Sequence, residues 1–124
     1  MSAHQQFSKQ IWVALALATS ACGGAPLTPA KLAEAQGAVH AAETLGAEQD
    51  PKAKQSLQLA RDQIAKAQSL GKEGEGEQGD RYLEQATADA DLAAQLMRTR
   101  AEARKAQEAW AKTKAPGSPT QAPQ

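Results

Sequence analysis

Asp50-Pro-Lys-Ala-Lys-Gln-Ser-Leu-Gln-Leu-Ala-Arg-Asp-Gln-Ile-Ala-Lys-Ala-Gln-Ser-Leu-Gly71 is the segment from which the fold can be read. It opens with a capping side chain ahead of a proline at the first helical position, where the missing N–H costs nothing. It closes on a glycine able to take the left-handed conformation of a helix C-cap. Between these marks Ala53, Leu57, Ala60, Ile64 and Ala67 recur at spacings of four and three, which keeps them on one helical stripe. The spacing predicts a helix over about 51–70.

The same punctuation extends outward. Upstream, Thr28-Pro29 marks a start and Gly46 a stop, so a helix is predicted from about Pro29 to Leu45, with Leu32, Ala35, Val39 and Ala42 on its seam. Downstream, the polar run Gly71-Lys-Glu-Gly-Glu-Gly-Glu-Gln-Gly79 predicts a loop and Asp80 a cap. A third helix follows, free of Gly and Pro until Pro116 and ending near Lys112. Tyr82, Ala86, Ala90, Ala93 and Met97 form its seam, flanked by Leu83, Leu92 and Leu96. No segment alternates as a strand would. The predicted fold class is all-α: a three-helix up-down-up antiparallel bundle, or helical hairpin with a long third helix, over 29–112. The Pro, Ser, Thr and Gln tail over 113–124 is predicted to be disordered. Alanine dominates the seams, so the helices can approach closely while each buried position contributes little transfer energy. Modest stability, or self-association into a homo-oligomer, is expected.

Composition narrows the function classes. A chain of 124 residues is one small domain. Fourteen Lys and Arg against fourteen Asp and Glu leave no net charge, which removes the electrostatic footprint of a nucleic-acid binder. A single cysteine excludes both an internal disulfide framework and a Cys-rich zinc site. His40 is the one histidine beyond the first two dozen residues and has neither a second histidine nor a cysteine as co-ligand. Glu73, Glu75, Glu77 and Glu84 resemble a calcium loop in spacing, but Gln78 stands where its glycine belongs and Asp80 where its apolar residue belongs. No catalytic residue, metal ligand or cofactor is therefore expected, and the chain is read as a non-catalytic module rather than an enzyme.

The N-terminus carries an address. Lys9 precedes the apolar stretch Ile11-Trp-Val-Ala-Leu-Ala-Leu-Ala18, which is too short to span a bilayer and suits the core of an export signal. Thr19-Ser20-Ala21-Cys22-Gly23-Gly24 then resembles the lipobox of bacterial lipoproteins, although Thr19 stands where leucine is usual. The resemblance implies removal of 1–21, lipid on the Cys22 sulfur and amine, and a lipidated tether over 22–28. Gly23, where an aspartate would resemble the inner-membrane retention signal, implies the periplasmic side of the outer membrane.

The helical region itself resembles a known family. Lys31-Leu-Ala-Glu-Ala-Gln-Gly-Ala38, Ala41-Ala-Glu-Thr-Leu-Gly-Ala47, Leu59-Ala-Arg-Asp-Gln-Ile-Ala-Lys-Ala67 and Tyr82-Leu-Glu-Gln-Ala-Thr-Ala-Asp-Ala-Asp-Leu-Ala93 are similar to the alanine-rich lipoprotein domain called domain of unknown function 4398. The likeness spans about 29–109 and implies a lipoprotein with helices around two turns, but no activity.

Charge supplies the candidate surface. Lys72 to Leu96 holds two cations and seven acids, a net of −5, and Met97 to Lys114 six cations and two acids, a net of +4. Acids at a helix start and bases at its end complement the helix dipole. The same pattern also offers Arg98, Arg100, Arg104, Lys105 and Trp110 to a partner, with peptidoglycan or a wall-associated protein expected. A ligand carrier, chaperone or accessory subunit of an envelope enzyme is the competing reading. Covalent linkage to peptidoglycan through a terminal lysine is disfavoured by the ending Gln121-Ala-Pro-Gln124.

Overall fold

The computed structural model describes residues 24–114. Cys22, the stretch read as an export signal and the tail beyond Lys114 lie outside the described residues. Among the described residues three α-helices follow in order, α1 (Pro29–Thr44), α2 (Pro51–Lys72) and α3 (Gly76–Lys114), with a 3-10 turn at Ala47–Gln49. They form the up-down-up bundle expected from the sequence. α3 packs against both other helices and most extensively against α2, while α1 and α2 touch each other less.

The expected stripes are the ones that meet. Ala53, Leu57, Ala60 and Ala67 of α2 are buried, as are Ala35, Val39 and Ala42 of α1 and Ala86, Ala90 and Ala93 of α3. Ile64, Leu32, Tyr82, Met97 and Leu96 pack half-buried around them. Leu57 and Leu83 are the largest apolar side chains that are fully enclosed. Leu83 is thus central to the α3 seam rather than beside it. Leu92, expected to flank that seam, is instead 47% exposed. The reason lies in the 3.6-residue period itself: the contact line of α3 runs through Ala90, Ala93 and Ala94, and Leu92, two positions from Ala90, falls about 200° around the helix on the opposite side.

The two connections behave differently. At the first, Gly46 takes φ 84° and its N–H returns to the carbonyl of Glu43 at 2.9 Å, closing α1 as expected. At the second, the expected nine-residue loop shrinks to Glu73-Gly74-Glu75, because α2 runs on through Gly71 to Lys72 and α3 begins at Gly76. Gly74, at φ 82°, is the left-handed residue. The Glu75 N–H donates to the Leu70 carbonyl at 2.8 Å and the Gly74 N–H to the Gly71 carbonyl at 3.3 Å. This is the paired closure that satisfies the last carbonyls of a helix. Gly71, Gly76 and Gly79, read as loop formers, stand in helices and serve close packing instead.

Side chains tie the helices at both ends. Asp50 caps α2 as expected: its Oδ1 accepts from the Ala53 N–H at 2.8 Å. The carboxylate is only 2% exposed, and its second oxygen lies against the guanidinium of Arg100 on α3. A buried carboxylate left without such a cation would carry its full desolvation cost. Arg61 of α2 forks to Glu43 and Glu48, each at 2.6 Å, and joins the first connection to the bundle. At the opposite end, Asp80 does not cap α3, because it lies inside that helix. It accepts from Thr28 instead, from the backbone N–H at 2.9 Å and from the hydroxyl at 2.5 Å. Thr28 accordingly leaves the start of α1 without a side-chain cap. Lys31 adds a contact to Glu84 at 2.6 Å on the same flank.

Two stability measurements follow from this packing. Leu83→Ala should lower the free energy of unfolding by about 2–4 kcal/mol in chemical denaturation, since a fully enclosed leucine leaves a cavity between alanines that cannot close it. Asp50→Ala removes a cap and should cost about 1–2 kcal/mol. Arg100→Ala strands the buried carboxylate and should cost a similar amount, about 1–2 kcal/mol. The double variant should cost less than the sum of the two, because each change removes the same pair.

Candidate functional site

The candidate surface starts where the bundle stops. α1 and α2 are joined at residues 45–50, level with Met97 and Arg100 of α3, and α3 continues alone. From Glu102 to Lys114 every residue is exposed, a projection of about 20 Å at 1.5 Å per residue. The sequence sustains this unsupported helix: Arg98-Thr-Arg-Ala-Glu-Ala-Arg-Lys-Ala-Gln-Glu-Ala-Trp-Ala-Lys-Thr-Lys114 is built almost wholly of strong helix formers. Lys112 and Lys114 stand in its last turn, where cations complement the helix dipole.

The five residues picked out in the sequence do not form one patch. At about 100° per residue, Arg98 and Lys105 share one face, and Lys112 continues it at the same spacing of seven. Arg100 and Arg104 lie on the other side, along a cleft of about 460 Å³ between the first connection and α3. Leu45, Gln49, Met97 and Gln107 also line this cleft. Arg100 is held there by Asp50, so its charge is committed to the fold. Arg104 is exposed farther along the same cleft. Trp110 is 63% exposed, and the Lys114 ammonium lies over its ring, 4.8 Å from the centroid. This pairing at i, i+4 fixes the indole against the helix and is worth about 0.5–1 kcal/mol at an exposed site.

Sequence reasoning missed Lys114 as the companion of Trp110, although the four-residue spacing on a helix was a usable signal. It also read Asp50 as a cap alone. The partner of its second oxygen is fifty positions away, and no local pattern announces it.

The opposite end of the bundle has another character. There the N-terminal segment Gly24–Thr28 lies across the α2–α3 connection, with Leu27 between Gly71 and Gly79. The two Thr28 hydrogen bonds, the hydroxyl's foremost, hold the Asp80 carboxyl below the usual carboxylate range, and Lys31 adds to the effect. Glu84, as the hydrogen-bond partner of Lys31, raises the ammonium above its ordinary value. Glu73, Glu75 and Glu77 surround this end, so α3 runs from an acidic base to a basic tip.

Among the described residues no group of three His, Cys, Asp or Glu is arranged to hold a metal ion. His40 is exposed on α1, with its Nδ1 3.7 Å from Glu43. No described helix is long and apolar enough to cross a membrane.

No curated protein and no solved structure matches the chain. A family model does: the one described as Domain of unknown function (DUF4398) matches residues 30–112, from the first turn of α1 to the last turns of α3, and the chain belongs to that family.

Proposed function

We propose that the chain is an exported lipoprotein, anchored through Cys22 on the periplasmic side of the outer membrane, that serves as a non-catalytic interaction module of the cell envelope. The observation that carries the contact role is the projecting end of α3, a helix of about 20 Å in which every residue is exposed and which, among the described residues, borders the first connection along the cleft at Ala103, Arg104 and Gln107. A helix kept as a projection, rather than folded back over the bundle, offers its surface to something outside the chain. Its net charge of +4 over Met97–Lys114 selects an anionic partner. Peptidoglycan, with free carboxylates on its peptides and sugar faces on which an indole can stack, has the matching chemistry. Arg98 and Lys105 serve one face, Arg104 and Trp110 lie about 120° from it on either side, and Arg100 contributes through its hold on Asp50.

The anchoring rests on the sequence of residues 11–24. Several acyl chains at about 0.8 kcal/mol per buried methylene make attachment effectively permanent, where one chain would leave it reversible. Labelled palmitate should enter the wild-type protein and not Cys22→Ser, and the mature protein should begin at an acylated Cys22 by mass spectrometry. An intact chain with a bare thiol would refute the anchoring.

The contact role is tested by co-sedimentation of the helical domain with purified peptidoglycan. Binding should weaken as salt rises. It should fall several-fold in Arg104→Glu with Lys105→Glu, and again in Trp110→Ala, with circular dichroism unchanged in each. Arg100 is left intact because its loss would disturb the fold. Retention unaffected by these changes and by salt would assign the charges of α3 to its dipole alone.

A further inference from the structure

The five residues ahead of α1 lie against the bundle, Leu27 half-buried and the other four exposed on their outer side. Gly24 lies so close to the second connection that a Cβ on it would come 1.8 Å from the Gly74 carbonyl oxygen. A Cβ on Gly76 would come 2.2 Å from the carbonyl oxygen of Ala25, and the Gly76 N–H donates to that same oxygen at 2.8 Å. Leu27 fills a notch between two helical glycines: a Cβ on Gly71 would approach its Cγ to 2.6 Å and one on Gly79 its Cδ2 to 2.5 Å. Thr28 then closes the segment with its two hydrogen bonds to Asp80. Glycine inside a helix costs about 1 kcal/mol relative to alanine, and here Gly71, Gly76 and Gly79 stand in helices along the path of one short segment. That placement is explained by what they admit.

This changes what a group at Cys22 is attached to. Between Cys22 and Gly24 there are two chain steps, about 7 Å at full extension. A free tether over 22–28 would reach roughly 20 Å and would let the bundle drift and turn above its anchor. With Gly24–Thr28 held against the bundle, the anchor point cannot be farther than those two steps from Gly24, which itself lies against Gly74.

We infer that Gly24–Thr28 act as a strap that seats the α2–α3 connection directly on the lipid surface, making the end around Gly74, Glu75 and Gln78 the membrane-facing surface of the protein. The inference rests on the lipid anchoring proposed for Cys22. Glu73, Glu75 and Glu77 give this end no charge attraction for anionic headgroups, so the covalent anchor and the strap, not adhesion, hold it there. The basic tip of α3 is the far end, about 50 Å along the helix from Gly76 to Trp110.

The strap is tested first without lipid. In the mature chain carrying Cys22→Ser, the Gly76 amide should be protected from hydrogen exchange and should exchange several-fold faster in Leu27→Asp. Rapid exchange in the unaltered segment overturns the strap. The seat is then tested on the full lipidated protein in phosphatidylcholine vesicles containing a headgroup-nitroxide lipid. The acyl mass at Cys22 is read beforehand, and its absence overturns the anchoring and the seat together, while Gly76 protection still judges the strap. With the Cys22 sulfur blocked by lipid, a fluorophore on Gln78→Cys should be quenched several-fold more than one on Gln49→Cys at the other end of α2. Inserting about 12 Gly and Ser residues between Gly23 and Gly24 lengthens the reach by roughly 20 Å without touching the strap, and should bring quenching at position 78 down towards that at 49. Equal quenching at the two positions in the unlengthened protein, or no response to the insertion, overturns the seat.

Discussion

The close approach that alanine permits between α3 and its two neighbours is the constraint on which the rest depends. Ala60, Ala67, Ala86, Ala90 and Ala93 are fully enclosed, and a seam of methyl groups stabilises a bundle only if the backbones come near enough for them to touch. Such a seam gains little per residue from removal of apolar area. It also tolerates no wedge, since a larger side chain would separate the helices along their length. Leu57 and Leu83 are bulkier groups that are fully enclosed, and Val39 and Leu70 are buried as well. Helices joined this way can slide, and the side-chain ties at the two ends are what set their register: Asp50 with Arg100 and Arg61 with its two glutamates at one end, Thr28 with Asp80 and Lys31 with Glu84 at the other.

The ends are not equivalent. One is capped by a packed N-terminal segment and ringed with acids, and from the other a basic helix continues past its neighbours. A molecule so polarised along one axis is suited to bridging two different surfaces. This is the sense in which lipid anchoring at Cys22 and contact through α3 belong to one proposal. Membership of the family described as Domain of unknown function (DUF4398) places the helical region among its relatives and assigns no activity.

The candidate surface was legible as composition and not as geometry. The charge change near Met97 is visible in the bare sequence, and so is the aromatic residue beyond it. Whether those charges are available depends on partners distant in the chain. Arg100 and Arg104 look alike in sequence and both are exposed, yet Arg100 is bound to a buried carboxylate and Arg104 lies farther along the cleft. The helical period divides Arg98 and Lys105 from Arg104, and only the position of the α1–α2 connection decides which of the two faces borders a cleft.

By itself the sequence determined the class of fold, the number of helices, their buried stripes and the starts of the first two. Those features follow from periodicity and from proline and capping side chains, which act within a turn or two of the backbone. The glycines after Leu70 were decided elsewhere. Locally they favour a loop, since glycine has the most conformational freedom to lose. In the folded chain, Leu27 and the carbonyl of Ala25 need the space that only an absent side chain leaves, and helix prevails through Gly71 and again from Gly76. Asp80 was redirected in the same way, from a local cap to a bond with Thr28 fifty-two residues away. Both outcomes are set by contacts between segments remote in sequence, and such contacts exist only once the helices have packed.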